Sequence, residues 1–208
     1  MAKIITDVKS RGITSAYIDA PFDKGLEILQ EQGYSLISLE QNAYLRIQEG
    51  KASYISQNGN WVREGIICIP NKGKFLTKNS PVLAHAVEAT ASYRKNQEYY
   101  ITNEQVEASL EGAIEITSKQ IPTSEFNSHP LTLYAFEQQA EAYGQFLQEA
   151  GIKEWRMYTS NLQDKPFANQ LWFGSLDSDS GLYGSYGDLF YDGRVRGVRA
   201  CAEGAKKI

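Results

Sequence analysis

The sequence is poor in the residues that most often build catalytic and metal sites. It contains two histidines and two cysteines, and His85, His129, Cys68 and Cys201 all lack a partner at the spacing of a metal site. Two distant cysteines are also too few for a disulfide-stapled scaffold, so we expect free, mostly buried thiols. Phosphate-binding glycine loops, nucleophile elbows and zinc-protease motifs are absent. These absences argue against an enzyme and indicate neither a cofactor nor a metal ion.

The sequence also lacks an excess of positive charge and long apolar runs. The net charge is -4 and no basic stripe alternates with aromatic residues, so nucleic acid is not an expected partner. No run of about 18 apolar residues predicts a membrane span. Residues 1–20 carry charges where a secretory signal would have an apolar core, so we expect cytoplasmic synthesis without a signal peptide. Display on a virion or a surface, and oligomerisation, stay open.

Length and composition are those of a folded protein. Hydrophobic residues make up 42% of the 208 residues and charged residues 22%, values typical of globular chains. A chain of this length suits a single domain, 1–208. We therefore expect a soluble, folded domain.

Helical signals dominate the first quarter of the chain. After a short leading strand, apolar residues recur at helical spacing over about residues 22–32. Ser38 and Gln41 form a capping-box pattern that opens a second helix, and Gly50 ends it. We therefore predict a short helical N-terminal part over residues 1–55.

Strands and helices mix irregularly in the remainder. Residues 61–69 predict a buried strand, and 74–77 its hairpin partner. A second capping box predicts a helix over 102–110. Apolar spacing predicts one long helix over 131–150 with Leu133 on its buried face, and Gly151 is its predicted stop. Three C-terminal strands are predicted at Trp155–Tyr158, Gln170–Phe173 and Arg194–Ala200, the last with a bulge at Gly197. Because strands and helices do not alternate regularly, the fold class is α+β.

The segment from Trp172 to Gly193 has an unusual alphabet. Every residue in it is Gly, Ser, Asp, Tyr, Leu, Phe or Trp. Antibody paratopes favour Tyr, Ser and Gly because tyrosine gives a large rigid contact while small polar residues adapt their hydrogen bonds. A glycine-rich meander that packs its aromatic rings inward has the same composition. Composition alone leaves both interpretations open.

The aspartates of this segment also raise the question of a metal ion. Asp177 to Gly181 begins like a calcium loop, but the glycine comes one position early and the closing glutamate is missing. A looser calcium or magnesium site using Asp177 and Asp179 stays open. Two solvated loop carboxylates are the favoured interpretation.

The flanks of the segment decide between the two interpretations of its alphabet. Residues 170–174, Gln-Leu-Trp-Phe-Gly, precede it, and residues 193–199, Gly-Arg-Val-Arg-Gly-Val-Arg, follow it. Together with residues 61–80, this frame resembles the C-type-lectin-fold variable proteins of diversity-generating retroelements, of archaeal and viral type. The formylglycine-generating-enzyme-like domains that modify sulfatases are distant relatives with a similar closing strand. The resemblance implies a C-type lectin fold whose residues 165–200 form a variable, ligand-binding region.

The resemblance also divides the segment into two kinds of position. Mutagenesis in such systems acts at template adenines, and AAY codons diversify into most of the residue types found here. The implied ligand-binding positions are Ser175, Asp177, Ser178, Asp179, Ser180, Tyr183, Ser185, Tyr186, Asp188, Phe190 and Tyr191. The implied scaffold positions are Trp172, Leu176, Gly184, Gly187, Gly193, Val195, Gly197 and Val198. Leu182 and Leu189 fit either class.

The implied function is therefore recognition of a protein or another macromolecular target. The tripeptides of calcium-dependent sugar-binding lectins are absent, so calcium-dependent sugar binding is not implied. Four aspartates without a basic residue in the segment predict a cationic patch on the partner. The alternative is an oxidoreductase like the formylglycine-generating enzymes, with Cys68 or Cys201 as an activated thiol.

Overall fold

The architecture is built on a mixed sheet with helices on both faces. A computed structural model describes residues 3–10, 12–177, 180–184 and 188–200. The strands within this part of the chain are β1 (Ile5–Ser10), β2 (Ile13–Ala20), β3 (Ser35–Leu36), β4 (Asn60–Ile69), β5 (Gly73–Thr77), β6 (Tyr99–Tyr100), β7 (Ile114–Glu115), β8 (Gln120–Pro122), β9 (Glu154–Thr159), β10 (Phe167–Phe173), β11 (Gly181–Gly184) and β12 (Gly193–Ala200).

Helices fill the connections between these strands. They are α1 (Phe22–Glu31), α2 (Leu39–Glu49), α3 (Tyr54–Gln57), α4 (Pro81–Ala84), α5 (Ala86–Arg94), α6 (Asn103–Leu110), α7 (Pro130–Phe136) and α8 (Ala140–Glu149). Short 3-10 turns occur at Thr123–Glu125, Glu137–Gln139 and Asp188–Phe190. None of the helices in the described ranges is long and apolar enough to cross a membrane.

The last strand lies in the interior of the sheet. The hydrogen-bonded order is β1-β2-β12-β4-β10-β11-β9-β8, with β3, β5 and β6 pairing beside β12, β4 and β10. β12 runs antiparallel to β2 along its whole length and parallel to β4 where Val195 meets Trp61. The second strand and the last described strand are therefore neighbours in the sheet.

Alternation along β4 separates the core into two layers. Successive side chains of a strand point to opposite faces. One face of β4 packs against α2, α7 and α8, and the other against α1, α4 and α5. The residues of the first face are Val62, Ile66 and Cys68, and those of the second are Trp61, Ile67 and Ile69. Because helices cover both faces, β4 is buried at every position except Arg63.

The capping signals of the sequence are confirmed. Ser38 accepts a hydrogen bond from the backbone of Gln41 while the Gln41 side chain accepts one from the Ser38 backbone, so α2 begins as predicted. Thr102 and Gln105 do the same for α6. Gly151 has a φ of 85° at the end of α8, as its predicted stop requires. The predicted strands over 61–69, 74–77 and the three C-terminal segments are also present.

The prediction of a short helical N-terminal part over residues 1–55 was incomplete. α1 and α2 are present, but two strands precede them instead of one, and both join the sheet. β2 is buried at nearly every position from Thr14 to Ala20. A strand covered on both faces loses the alternation that identifies strands in a sequence. The N-terminal part therefore belongs to the sheet as well as to the helical layer.

The prediction of one helix over 131–150 was wrong. α7 and α8 are separated by Glu137, which adopts a φ of 47° and pairs with Lys78 at 2.5 Å. The break lets Phe136 and Tyr143 pack in one aromatic cluster, with ring centroids 5.1 Å apart. It also leaves Leu133, predicted to be buried, 44% exposed.

The predicted bulge at Gly197 is also wrong. The register of β12 against β2 runs without a shift from Gly193 opposite Ala20 to Ala200 opposite Ile13. Glycine is needed here for another reason, since a Cβ at this position would lie 2.7 Å from the Cβ of Tyr34. Close packing against the loop before β3 therefore accounts for Gly197.

The buried carboxyl group of Glu64 should make the free energy of unfolding depend on pH. It is 1% exposed on β4, accepts a hydrogen bond from the Leu39 backbone at 3.0 Å, and burial raises its pKa from 4.5 to about 7. Since folding favours the protonated acid, its stabilising contribution is complete below pH 4.5 and is lost as the pH rises through 7. Glu64→Gln should therefore raise the free energy of unfolding at pH 8 by up to about 3 kcal/mol.

Denaturant unfolding at pH 4.5 and pH 8 checks this expectation. The gain from Glu64→Gln should vanish at the lower pH, where the wild-type side chain is already neutral. Glu107→Gln, at an exposed position of α6, is the matched control and should show no such difference. A variant whose gain is equal at both pH values would contradict the raised pKa.

Candidate ligand-binding surface

A row of four aromatic side chains crosses the sheet at one end. Trp172 on β10 lies directly opposite Trp61 on β4 and Tyr183 on β11, and Tyr183 lies opposite Tyr158 on β9. Directly paired residues share a face of the sheet, so their rings meet. The two indoles make an edge contact at 5.1 Å, and the two tyrosines stack at 4.6 Å. The row therefore consists of two ring pairs side by side on one face of the sheet.

An open cleft of about 610 Å³ lies over this row. Trp61 is 3% exposed in its floor, while Trp172 and Tyr183 are half-buried. Tyr191, which is 61% exposed, stands at its edge. The other side chains that line the cleft are polar, and they are Gln57, Asn58, Ser175, Asp188 and Asp192. The cleft therefore combines aromatic contact area with hydrogen-bonding groups.

Glycines allow the indoles of the cleft to lie against the backbone. A Cβ at Gly59 would overlap the indole nitrogen of Trp172. A Cβ at Gly193 would lie 2.8 Å from the indole nitrogen of Trp61. Any larger side chain at either position would displace a ring of the floor.

The lining of the cleft is acidic. Asp188 and Asp192 are exposed within it, and among its described lining residues there is no lysine or arginine. The neighbouring Arg194 does not line the cleft: its guanidinium pairs with Asp19 at 3.3 Å, lies over the ring of Tyr54 at 5.0 Å and donates to the Gly59 carbonyl at 3.4 Å. The cleft therefore presents negative charge that its own side chains do not neutralise.

Arg46 holds the loop that leaves β10. It is fully buried on α2 and donates hydrogen bonds to the Gly174 carbonyl at 2.7 Å and the Tyr143 hydroxyl at 3.3 Å. Its guanidinium lies 3.9 Å above the ring of Phe173. Burial lowers the pKa of Arg46, since desolvation disfavours its charge. The N-terminal part thus fixes the start of the cleft loop.

A second buried arginine fixes the strand that follows the cleft. Arg196 on β12 donates two hydrogen bonds of 2.8 Å to the carboxylate of Asp7 and one of 2.8 Å to the Ser15 hydroxyl. A bidentate arginine-carboxylate pair specifies orientation as well as position. The segment from 174 to 193 is therefore tied down at both ends.

The fold is similar to that of a solved structure. No protein-family model matches the chain, and no curated protein matches it. A solved structure described as the accommodation of massive sequence variation in Nanoarchaeota by the C-type lectin fold matches 94% of this chain and 100% of its own, with a TM-score of 0.67 and 17% identity. The chain has the C-type lectin fold. The resemblance predicted this fold from the residues that flank the segment.

Within this C-type lectin fold, several predicted ligand-binding positions come together. Ser175, Tyr183, Asp188 and Tyr191 line the cleft. Asp177 is exposed nearby, where its carboxylate accepts a hydrogen bond from Ser175 at 2.6 Å. Phe190 is half-buried and lines a neighbouring concavity. The predicted positions Ser178, Asp179, Ser185 and Tyr186 lie outside the described residues.

Ser180 is the predicted position that the structure contradicts. Its side chain is 0% exposed, so it is not a surface contact. The residue leads into β11, and its carbonyl accepts a hydrogen bond from the Arg156 backbone at 3.2 Å. Strand pairing draws Ser180 inward, and a serine is small enough to be buried there.

The two leucines left open by the sequence are both buried. Leu182 and Leu189 are both 0% exposed, in the two different core layers. Val195 and Val198 are buried, and Leu176 packs against the core, as predicted for scaffold positions. Gly187 lies outside the described residues. Buried leucines thus alternate with exposed polar and aromatic residues along the segment.

Sequence reasoning missed part of the cleft. Gln57 and Asn58 line it from the loop before β4, more than a hundred positions away along the chain. The dipeptide Asn58-Gly59 is typical of a tight turn, but no local pattern connects it with the C-terminal segment. Asp192 was predicted only as part of the negative charge.

The metal and thiol hypotheses gain no support from the described residues. In the ranges given above, no three His, Cys, Asp or Glu side chains are grouped to hold a metal ion, and Asp179 lies outside them. Cys68 is 0% exposed, and burial raises its pKa to about 12. This thiol is therefore protonated and inaccessible, whereas an activated cysteine needs a lowered pKa and exposure. Cys201 lies outside the described residues.

Arg46→Lys should loosen the cleft loop. Lysine keeps the charge but not the planar fork that reaches Gly174 and Tyr143 together, or the stacking on Phe173. We expect a loss of about 2 kcal/mol in the free energy of unfolding. Amide hydrogen exchange at Gly174 and Leu176, whose backbone N–H groups donate to the carbonyls of Gly181 and Ser56, should accelerate more than exchange in β4. Arg63→Lys, at a partly exposed position, is the control; equal acceleration in both variants would contradict the anchoring role.

Proposed function

We propose that this chain is a receptor-type binding protein that recognises a macromolecular target, most simply a protein, through the cleft. The observation that carries the proposal is the fixed aromatic row under an exposed rim of polar and acidic side chains. Interfaces draw most of their binding energy from a few aromatic anchors surrounded by weaker polar contacts. Trp172, Tyr183 and Tyr191 have the exposure and rigidity of such anchors.

We further propose that a diversity-generating retroelement varies the exposed positions of this segment. The described candidates are Ser175, Asp177, Tyr183, Asp188, Phe190 and Tyr191, together with the predicted positions outside the described ranges. The exposure of Asp177, Asp188 and Tyr191 supports the idea, because substitution of exposed side chains removes few contacts of the folded state. The solved structure from Nanoarchaeota is itself described as accommodating massive sequence variation in this fold.

A binding function is favoured over catalysis. The cysteine on which an oxidoreductase mechanism would depend within the described residues, Cys68, is buried and protonated. The cleft also contains no histidine and no cysteine among its described lining residues. The tryptophan, tyrosine, serine and asparagine side chains of the lining match residue types that are enriched in recognition surfaces.

Site-specific photo-crosslinking tests the binding function. Tyr191→p-benzoylphenylalanine places a photoreactive ring at the edge of the cleft, and a side chain that is 61% exposed tolerates the change. We expect a discrete high-mass adduct after irradiation in extracts of the source cells. Leu133→p-benzoylphenylalanine is the control, since Leu133 is also exposed but lies on α7. Equal adducts from both positions, or none from position 191, would count against the cleft as a binding site.

Genomic sequencing tests the diversification mechanism separately. We expect a near-repeat of the 3′ end of the gene beside a reverse-transcriptase gene, with differences confined to adenines of the template copy. Those differences should fall in codons for exposed positions such as Asp188 and Tyr191 and spare the buried Leu182 and Leu189. A gene without such a repeat would refute retroelement diversification and leave the binding function standing.

A further inference from the structure

A second concavity of about 650 Å³ adjoins the cleft. The two share Asp188 and Tyr191, which stand on the ridge between them. The remaining side chains of this second basin come mostly from outside the segment implied to vary. Those used below are Glu98, Tyr100 and Gln163. The ridge is fixed from below, because Leu189 is fully buried in the core layer that includes Tyr93.

Three side chains of the second basin form a hydrogen-bonded chain. The Tyr100 hydroxyl donates to Gln163 at 2.9 Å, and the Gln163 amide donates to Glu98 at 3.2 Å. The chain joins β6 to the loop before β10. Partial burial raises the pKa of Glu98, because desolvation disfavours the charged carboxylate. A nearby cation would stabilise that charge.

The basin also exposes aromatic faces. Tyr100 is 49% exposed and Tyr191 61% exposed, and Tyr191 is held against Phe190 at 4.2 Å between ring centroids. Lys165 lies 5.9 Å from the Tyr100 ring in a neighbouring depression, so this ring already has a cation at one side. Among the described residues that line the second basin and the cleft, there is no lysine or arginine.

We infer that the second basin and the cleft form one continuous surface that binds an arginine-bearing segment of a protein partner. A guanidinium stacks on tyrosine faces and pairs with carboxylates in a planar geometry that an ammonium lacks. Glu98 and Asp188 supply the carboxylates, and Tyr100 and Tyr191 the faces. The inference rests on the proposed binding function and adds to it a contact region outside residues 165–200.

Titration of the intact protein with a defined peptide tests the inference. The probe is acetyl-tetra-arginine-amide, followed by NMR at physiological ionic strength, where loose surface attraction is screened. We expect saturable shifts at Glu98, Tyr100 and the Gln163 side-chain amide. The neutral isostere acetyl-tetra-citrulline-amide should give no saturable shifts, and acetyl-tetra-lysine-amide should bind more weakly than the arginine peptide.

Single variants distinguish binding at this site from a general electrostatic attraction of the arginine peptide to an acidic protein. Glu98→Gln keeps a hydrogen-bond acceptor for Gln163 and should weaken tetra-arginine binding about fivefold. Tyr100→Leu should weaken it as well, because the leucine retains apolar area without the aromatic face. Glu107→Gln removes an equal charge from exposed α6 and should leave binding unchanged, with thermal melting confirming that each variant is folded.

The outcomes distinguish this inference from the proposed function. Shifts confined to Trp172 and Tyr183 would overturn the second basin and leave the cleft as the binding site. Two results would overturn the inference that the partner presents a cation. One is equal binding of the citrulline and arginine peptides, and the other is equal weakening of arginine-peptide binding by Glu98→Gln and Glu107→Gln. Absence of any shift would overturn the inference, whereas photo-crosslinking from position 191 tests the cleft independently.

Discussion

The insertion of β12 between β2 and β4 is the constraint on which the rest of the structure depends. The last described strand pairs along its whole length with one of the first, and Val195 meets Trp61 on its other side. Its residues serve both core layers, since Val195 packs in one and Val198 in the other. Arg196 adds a bidentate pair with Asp7. If β12 took another register, the buried guanidinium of Arg196 would lose this carboxylate partner. The two ends of the described chain therefore stabilise each other.

This closure determines where the candidate ligand-binding surface lies. The chain leaves β10 at Gly174, passes through β11 and enters β12 at Gly193, so the cleft segment begins and ends at fixed points of the sheet. Arg46 fixes the first point through the Gly174 carbonyl. Between these two points, the buried side chains of Leu182 and Leu189 anchor the segment to the core. Truncating a buried leucine typically costs about 2 to 5 kcal/mol, whereas exposed positions cost little. A rigid frame with tolerant exposed positions is what a varied recognition surface requires.

Much of the fold was predictable because its signals are local. The capping boxes at Ser38 and Thr102, the stop at Gly151 and the apolar run of β4 each depend on a few adjacent residues. The flanks of the segment likewise predicted the C-type lectin fold. β2 escaped detection as a separate strand because both of its faces are buried, and the α7–α8 break escaped because it serves packing between Phe136 and Tyr143.

The sequence by itself determined the secondary-structure signals, the identity of the segment at the surface and several of its exposed side chains, such as Tyr191. Only the tertiary structure decided that Ser180 is buried, that Gln57 and Asn58 join the cleft, and that a second basin adjoins it. The physical reason is that hydrogen-bond caps and turns are encoded over a few residues. Burial and the shape of a surface depend instead on which distant segments meet, and a small polar residue such as serine is compatible with either environment.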